Sequence, residues 1–569
     1  MSKFVEKPHK VRYLPDIRDI IRYGAEHYGE RPAFEDRHFP GQGDRRSISY
    51  RQLKEDVDAL GTALLNRGLE GKKIAVMSEN RYDWALTYFA VCCGVGVIIP
   101  LDRELPPAEL VNLLRRAEAS ALVYSKKQQK TVDAAMADLD FVEYLIEMDG
   151  DTNQWRNLSL KKLVEEGYAL IAEGDDRYMN REIDPKALMA IYFTSGTTGT
   201  SKGVMLSHRN LTSNVENMLR RMYIDTKARG LLVLPVHHTF AFTCEVLPGL
   251  TGGATIVIAD GLKYIQRNLK EDRVNTMLGV PLIYETFHRK ILISARHQGK
   301  EEKLLKGMRL NEKLQKIGID RSRKMFKDIY AMIGNEIQTF IVGGAPMDPE
   351  IIRDFRALGI NMFEGYGLTE TSPIIAVNAD YRQKTGTVGP PMPGTQVRIA
   401  DPDEDGIGEI QALTESTMIG YYQDPEETAK VLLPDGWFAT GDYGFLDKEG
   451  FLHVTGRKKN VIVTKNGKNI YPEELEYLLD KSEYIKESVV WGKEDPDGGD
   501  LKITAEIVID TEALQGKTPE EIRVLIDGEV ERVNAATTSY KRIKRFNIRE
   551  EEFEKTTTRK IRRHTIDYK

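Results

Sequence analysis

The sequence predicts an α/β fold: a large N-terminal domain of mixed, largely parallel sheets flanked by helices, followed by a small α+β C-terminal domain. Three observations carry this. Short apolar runs rich in β-branched residues alternate with segments of helical period, the pattern of strands buried on both faces by helices. The 569 residues exceed what one hydrophobic core organises, so two or more domains are expected. Near residue 456 the pattern changes to a compact mixed one, which sets the expected domains at 1–456 and 457–569.

Composition narrows the class. Hydrophobic residues at 41% and charged residues at 30% describe a globular protein, and a net charge of −6 over this length argues against a nucleic-acid binder. Cys92, Cys93 and Cys244 form no zinc or disulfide spacing, which fits a reducing cytoplasm. The N-terminal residues carry basic groups with no apolar core behind them and do not read as a secretory signal. The longest apolar run, 88–101, spans 14 residues with two glycines and a proline, short of the ~20 that cross a bilayer. It reads as a buried helix end turning into a buried strand. Peripheral membrane contact and a homodimer are left open.

Along the chain, Lys73–Met77, Val97–Pro100, Ala121–Tyr124, 190–193, 231–234, Thr255–Ile258 and Thr339–Val342 read as buried strands. Functional loops gather at the carboxyl ends of such strands. After 190–193 come six hydroxyls within eight residues, Thr194, Ser195, Thr197, Thr198, Thr200 and Ser201, with Lys202 beside them. Gly196, Gly199 and Gly203 allow positive φ and close backbone approach to an anion, so the loop reads as a phosphate cradle, the alternative being a polar surface loop. It is not a Walker A loop, because no glycine stands directly before a Lys-Ser/Thr pair. His237 and His238 follow Leu234 and Pro235; adjacent histidines are poor metal-ligand spacing, and a packed or capping role is the plain reading.

Segment 281–337 is strongly charged, with apolar residues at helical spacing (Ile283, Phe287, Ile291), and predicts a helical excursion. Gly343, Gly344, Ala345 and Pro346 follow a strand and expose backbone to a flat ligand. Residues 441–450 read as a run of turns, followed by Gly456, Arg457, Lys458 and Lys459. Pro472, Glu473 and Glu474 start a helix, and 488–491 and 504–509 read as strands. Residues 540–569 hold 11 Lys or Arg and five Asp or Glu, a surplus suited to an anionic ligand or to a solvated face.

Several of these stretches resemble the signatures of the adenylate-forming enzymes, the superfamily of acyl-CoA synthetases, firefly-type luciferases and nonribosomal peptide adenylation domains. Residues 194–203 read T-S-G-T-T-G-x-x-K-G without interruption; 364–371 contain Y-G-x-T-E; 436–442 resemble G-W-x-x-T-G-D. Residues 554–563 resemble P-K-T-x-x-G-K-I-x-R, but Glu554 replaces the proline and Arg559 the glycine before Lys560, which reduces backbone freedom there.

The resemblance implies an adenylate-forming fold whose small domain is mobile about Lys459, and it implies ATP, Mg²⁺ and coenzyme A as cofactors. Thr194, Ser195, Gly196, Thr197, Thr198, Gly199 and Lys202 would hold phosphates. Gly344, Ala345, Pro346, Glu364, Gly365, Tyr366 and Gly367 would face the adenine, and Asp442 with Arg457 the ribose. Glu370 would hold the metal, a hard cation suited to one or two carboxylates plus phosphate oxygens. Lys560, Thr369 and His238 would be catalytic, and Lys465, Asn466 and Gly467 would bind coenzyme A.

The long-chain fatty acid-CoA ligases are the most similar group, partly through the helical excursion. An acyl-carrier-protein ligase is the nearest rival. An amino-acid-adenylating domain is disfavoured because 235–242 lack the aspartate that pairs an α-amino group, while luciferase-type oxygenation would share the adenylate. A non-catalytic nucleotide-binding regulator is opposed by the retention of Thr369, Glu370, Asp442, Arg457 and Lys560.

Overall fold

The computed structural model describes residues 8–37, 43–194, 201–464, 468–493, 502–555 and 561–566. The chain divides into two compact units, Met1–Gln396 with Leu413–Gly436, and Val397–Ala412 with Trp437–Lys569.

Two eight-stranded sheets organise the first unit among the described residues. One runs in the order Ile374–Val377, Asn361–Gly367, Thr339–Val342, Thr276–Gly279, Arg229–Leu232, Thr255–Ile258, Pro32–Asp36, Arg46–Ser49. Its six inner strands are parallel and its two edges antiparallel. The other runs Gly420–Tyr421, Lys202–Ser207, Leu188–Thr194, Val97–Pro100, Lys73–Met77, Ala121–Tyr124, Tyr144–Glu147, Asn157–Ser159, and is parallel from Leu188–Thr194 onward. The β-branched runs sit centrally because strands covered on both faces must be apolar throughout. The expected strand at 231–234 begins and ends two residues earlier, as Arg229–Leu232: Thr255–Ile258 pairs with those four residues.

The helical excursion is part of the core. Helices Pro281–His297, Glu301–Gln315, Ser322–Met325 and Lys327–Ile333 bury Tyr284, Phe287, Ile291, Leu304, Met308, Phe326 and Tyr330 with Phe340 and Phe355 of the first sheet's layer. The Tyr284 hydroxyl lies 2.8 Å from the Met277 carbonyl and 3.0 Å from that of Ile341, beneath Gly279. The two long excursion helices, Pro281–His297 and Glu301–Gln315, thus each turn one stripe inward, as their period requires.

The second unit carries a four-stranded sheet, Gln396–Ala400, Gly408–Leu413, Phe438–Leu446 and Leu452–Arg457, and a three-stranded sheet of Ile485–Lys493, Lys502–Ile509 and Arg545–Arg549. The turns expected at 441–450 are corrected: strand Phe438–Leu446 runs through the first six of these positions, because it alternates buried and less buried residues and pairs with both neighbours. Helix Pro472–Leu479 starts at its proline, with Glu473 and Glu474 in its first turn. Leu475, Leu479, Val490, Ile503, Ile507, Ile526 and Val533 form the core between this helix, the sheet and helix Pro519–Ala536. Among the described residues no helix is long and apolar enough to cross a membrane.

Candidate active site

The hydroxyl-rich loop grows from a hairpin. Strands Leu188–Thr194 and Lys202–Ser207 pair antiparallel with Thr194 opposite Lys202, and the Thr194 hydroxyl lies 3.5 Å from the Lys202 carbonyl. Ser195, Gly196, Thr197, Thr198 and Gly199 lie outside the described residues. At the hairpin's far side the two-residue strand Gly420–Tyr421 pairs with Lys202–Ser207, and helix Pro425–Val431 follows. The Lys202 ammonium donates to Glu427 Oε2 at 2.6 Å and lies 4.9 Å from the centre of the Tyr421 ring. Hydrogen bonds from Lys202 and Lys430 hold the Glu427 carboxyl down at about 2. The Tyr421 hydroxyl donates to Glu370 Oε1 at 2.9 Å. Burial, then the Glu370 charge, push that phenol well above its ordinary value, so it stays a donor.

Glu370 sits in a tight turn, Thr369–Thr371, after strand Asn361–Gly367. At Gly367 an added Cβ would meet the Pro373 carbonyl oxygen at 1.9 Å, so only glycine permits the chain to fold back there. The Pro373 carbonyl accepts from Leu368 N at 3.0 Å and from the Thr371 hydroxyl at 2.6 Å. Asn214, from helix His208–Arg221, donates to the Thr371 and Ile374 carbonyls at 3.3 and 2.9 Å and accepts from Ile374 N at 3.3 Å. Met418 N donates to the Glu370 carbonyl at 2.8 Å.

Three separately read segments meet beside this turn. A Cβ on Gly343 would lie 2.8 Å from Phe240 Cζ and 3.4 Å from the Gly365 carbonyl, which places the 343–346 turn, the 237–240 segment and the 364–367 strand end in contact. Gly344 has φ +85°, and Gly344, Ala345 and Pro346 are exposed. Gly365 and Tyr366 are half-buried and Gly367 exposed. Glu364 points inward instead: burial pushes its carboxyl up to about 8, against the opposing pull of the Gly386 N–H and Arg356, and its Oε2 is buried without a hydrogen-bond partner.

The two histidines differ. His237 is buried, and burial followed by Arg103 pushes its imidazole down to about 3; Asp102 Oδ2, at 3.6 Å from Nε2, therefore faces a neutral ring rather than a charged one. His238 is half-buried, its ring 4.1 Å from that of His237, at the entry to the turn Thr239–Ala241. Asn80, just past strand Lys73–Met77, holds this segment: its amide donates to the Leu234 carbonyl at 2.8 Å and accepts from Val236 N at 3.1 Å.

In the second unit, Asp442 and Arg457 face each other across adjacent strands, with Arg457 Nε 2.9 Å from Asp442 Oδ1. Asp442 is buried while Arg457 is partly open to solvent, so the carboxylate is fixed at the mouth of the strand pair. Asp442 N donates to the Thr440 hydroxyl oxygen at 3.1 Å. A fixed acceptor-only carboxylate suits a vicinal diol. Lys458 pairs with Glu409 at 2.8 Å, and Lys459 lies in the turn Lys458–Asn460, its ammonium pushed down by burial, then by Arg457 and Arg563. Asn460 donates to Glu473 Oε1 at 2.7 Å. Lys465, Asn466, Gly467 and Lys560 lie outside the described residues. The flanks of Lys560's segment pair, Lys555 with Ile561 across an antiparallel bridge, and Lys555 is held by Glu487 at 2.7 Å.

Among the described residues no three His, Cys, Asp or Glu side chains gather to hold a metal by themselves. The donor at Glu370 is one carboxylate with Tyr421 on one oxygen, which fits Mg²⁺ carried largely by phosphate oxygens. Tyr421, Glu427, Asn214 and Asn80 were not picked out from the sequence. The Asp-Pro-Glu-Glu start of helix Pro425–Val431 is visible as a helix N-terminus, but nothing local ties Glu427 to a lysine 225 positions earlier.

A family model described as AMP-binding enzyme matches residues 21–422, and one for the AMP-binding enzyme C-terminal domain matches 459–568. The chain is 28% identical over 568 residues, 91% of its length and 90% of the relative's, to the long-chain-fatty-acid–CoA ligase FadD15 of Mycobacterium bovis. It is 27% identical over 555 residues, 84% and 75% of the two lengths, to the chloroplastic long-chain-fatty-acid–[acyl-carrier-protein] ligase AEE15 of Arabidopsis thaliana. Among solved structures, the anthranilate CoA ligase AuaEII in complex with anthranoyl-AMP superposes with a TM-score of 0.76 over 97% of this chain and 96% of that one at 18% identity, so the fold is that of the adenylate-forming enzymes. With most of its length under the first model and nearly all of its C-terminal part under the second, the chain belongs to the AMP-binding enzyme family of acid-adenylating ligases.

Proposed function

We propose that the protein activates a long-chain fatty acid with ATP, releasing pyrophosphate, and transfers the acyl group to coenzyme A, releasing AMP. The observation that carries this is the linked set Glu427, Lys202, Tyr421 and Glu370, which joins the lysine of the hydroxyl-rich loop to the carboxylate assigned to the metal. The fatty-acid reading is supported by the two relatives above and by the excursion 281–337.

In the first step a carboxylate oxygen of the acid attacks the α-phosphorus and the bond to the pyrophosphate oxygen breaks. Positioning and charge neutralisation dominate such a step. Residues 194–202 hold the β- and γ-phosphates, with Lys202 supplying charge. Glu370 would hold Mg²⁺, which would supply charge neutralisation for the phosphate oxygens. The 343–346 turn and Tyr366 take the adenine, Asp442 and Arg457 the ribose. Thr369 donates to a phosphate oxygen, His238 borders the carboxylate, and Lys560 bridges carboxylate and α-phosphate oxygens. In the second step the thiolate of coenzyme A attacks the adenylate's carbonyl carbon and the bond to AMP breaks; Lys465, Asn466 and Gly467 serve this step. Residues 457–569 act as a lid pivoting at Lys459, a reading supported by the C-terminal family model beginning at 459. A reducing cytoplasm is supported by three buried, unbridged cysteines.

The test is acid-dependent pyrophosphate release with a panel of fatty and aromatic acids, followed by thioester formation with coenzyme A or with acyl carrier protein. No acid-dependent release refutes the enzyme reading; turnover with carrier protein alone moves the second step to the rival ligase.

A further inference from the structure

We propose that Tyr421 is a positioning residue that sets Glu370 and Lys202 relative to one another, its hydroxyl holding the carboxylate and its ring face holding the ammonium. This rests on the phosphate and metal roles given to those two residues above. Tyr421 is itself held rigidly. It is buried, its backbone pairs with Val204, and its N–H donates to the Thr428 hydroxyl at 2.9 Å. Thr428 in turn donates to the Asp424 carbonyl at 2.7 Å.

The hydroxyl's partner is Glu370 Oε1 at 2.9 Å, so a phenylalanine would fill the same space without that contact. A hydrogen bond from a buried, fixed donor selects one orientation of the carboxylate. The ring does the converse for Lys202. A lysine has four rotatable bonds and strong hydration, and confining it costs side-chain entropy. An aromatic face at 4.9 Å attracts the cation without neutralising it, and Glu427 at 2.6 Å closes the other side. One side chain thereby holds Glu370 through its hydroxyl and touches Lys202 through its ring, while the direct ion pair of that lysine is with Glu427. Their separation in sequence, 51 residues between Glu370 and Tyr421, means the arrangement exists only once both sheets are formed.

The experiment measures equilibrium binding of α,β-methylene-ATP by calorimetry, with Mg²⁺ and with EDTA, for the full chain and for Tyr421→Phe, Tyr421→Leu, Lys202→Met and Glu370→Gln. Y421F should lose about tenfold in affinity with Mg²⁺ and little in EDTA, because only the bond to a charged acceptor is removed. Y421L should weaken binding in both conditions, with K202M reporting the same arm if Y421L does not fold. A Y421F protein whose magnesium dependence equals that of the unaltered chain, or which weakens equally in both conditions, overturns the proposal. If E370Q also keeps its magnesium dependence, the metal role of Glu370 falls and this proposal with it. A weakened E370Q beside a normal Y421F refutes Tyr421 alone.

Discussion

Replacing Gly367 with alanine should disable the turn that carries Thr369 and Glu370. The added methyl would stand 1.9 Å from the Pro373 carbonyl oxygen and 2.6 Å from its carbon. That is roughly 1.5 Å short of ordinary contact, and the obstacle is backbone rather than a side chain that can swing away. The oxygen accepts two hydrogen bonds that close the turn, from Leu368 N and the Thr371 hydroxyl. Overpacking of this kind costs about 1–3 kcal/mol, and weakening the two bonds adds about 1 kcal/mol each. The competent turn then loses at least about 3 kcal/mol, a factor of at least roughly 100 in its population. Acid-dependent ATP–pyrophosphate exchange should fall by that factor and need more Mg²⁺, while thermal unfolding shows a lowered midpoint with the transition retained. G367A exchanging at the unaltered rate with unaltered magnesium dependence would show that the turn does not depend on this close approach.

Other outcomes follow from single groups. Glu364 is held at about 8 by burial, above its ordinary value of 4.5, so the folded state keeps a proton that the unfolded state gives up between those values. Stability is then fully present below about 4.5 and is lost as pH rises through about 8, by about 3 kcal/mol between pH 5 and 8; denaturant unfolding of Glu364→Gln should have a flatter pH profile, and parallel profiles would rule this out. Asp442→Asn should lower kcat/KM for ATP about tenfold, because a charge-assisted acceptor beside Arg457 is lost, and an unchanged value would remove Asp442 from the nucleotide site. Lys560→Ala should abolish adenylate formation from acid and ATP while largely sparing thioester formation from supplied acyl adenylate; equal loss of both half-reactions would contradict its assignment.

Much of the architecture was legible. Lys73–Met77, Val97–Pro100, Ala121–Tyr124, Thr255–Ile258 and Thr339–Val342 form strands over the very residues whose apolar, β-branched character marks them. The helical period of 281–337 gave its helices and their buried stripes, because a period of 3.6 names one inward face. It did not say what that face packs on. Residues 441–446 misled because glycine and aspartate signal turns locally, while strand pairing on both sides overrode that preference. Glu364 shared a motif with Tyr366, yet strand alternation and the parallel neighbour at Val342 bury its carboxyl.

The kinds of chemistry were present in the sequence itself, since a hydroxyl- and glycine-rich loop with a lysine, a carboxylate after Y-G-x-T, and an Asp with a downstream Arg are chemical features that need no fold to be read. Which of them meet was decided only by the tertiary structure. Lys202 with Glu427, Tyr421 with Glu370, Asn80 with 234–236 and Phe240 with Gly343 are contacts between segments far apart in the chain. They follow from the order in which parallel strands are laid into sheets, and a crossover connection leaves no local spacing from which that order could be read.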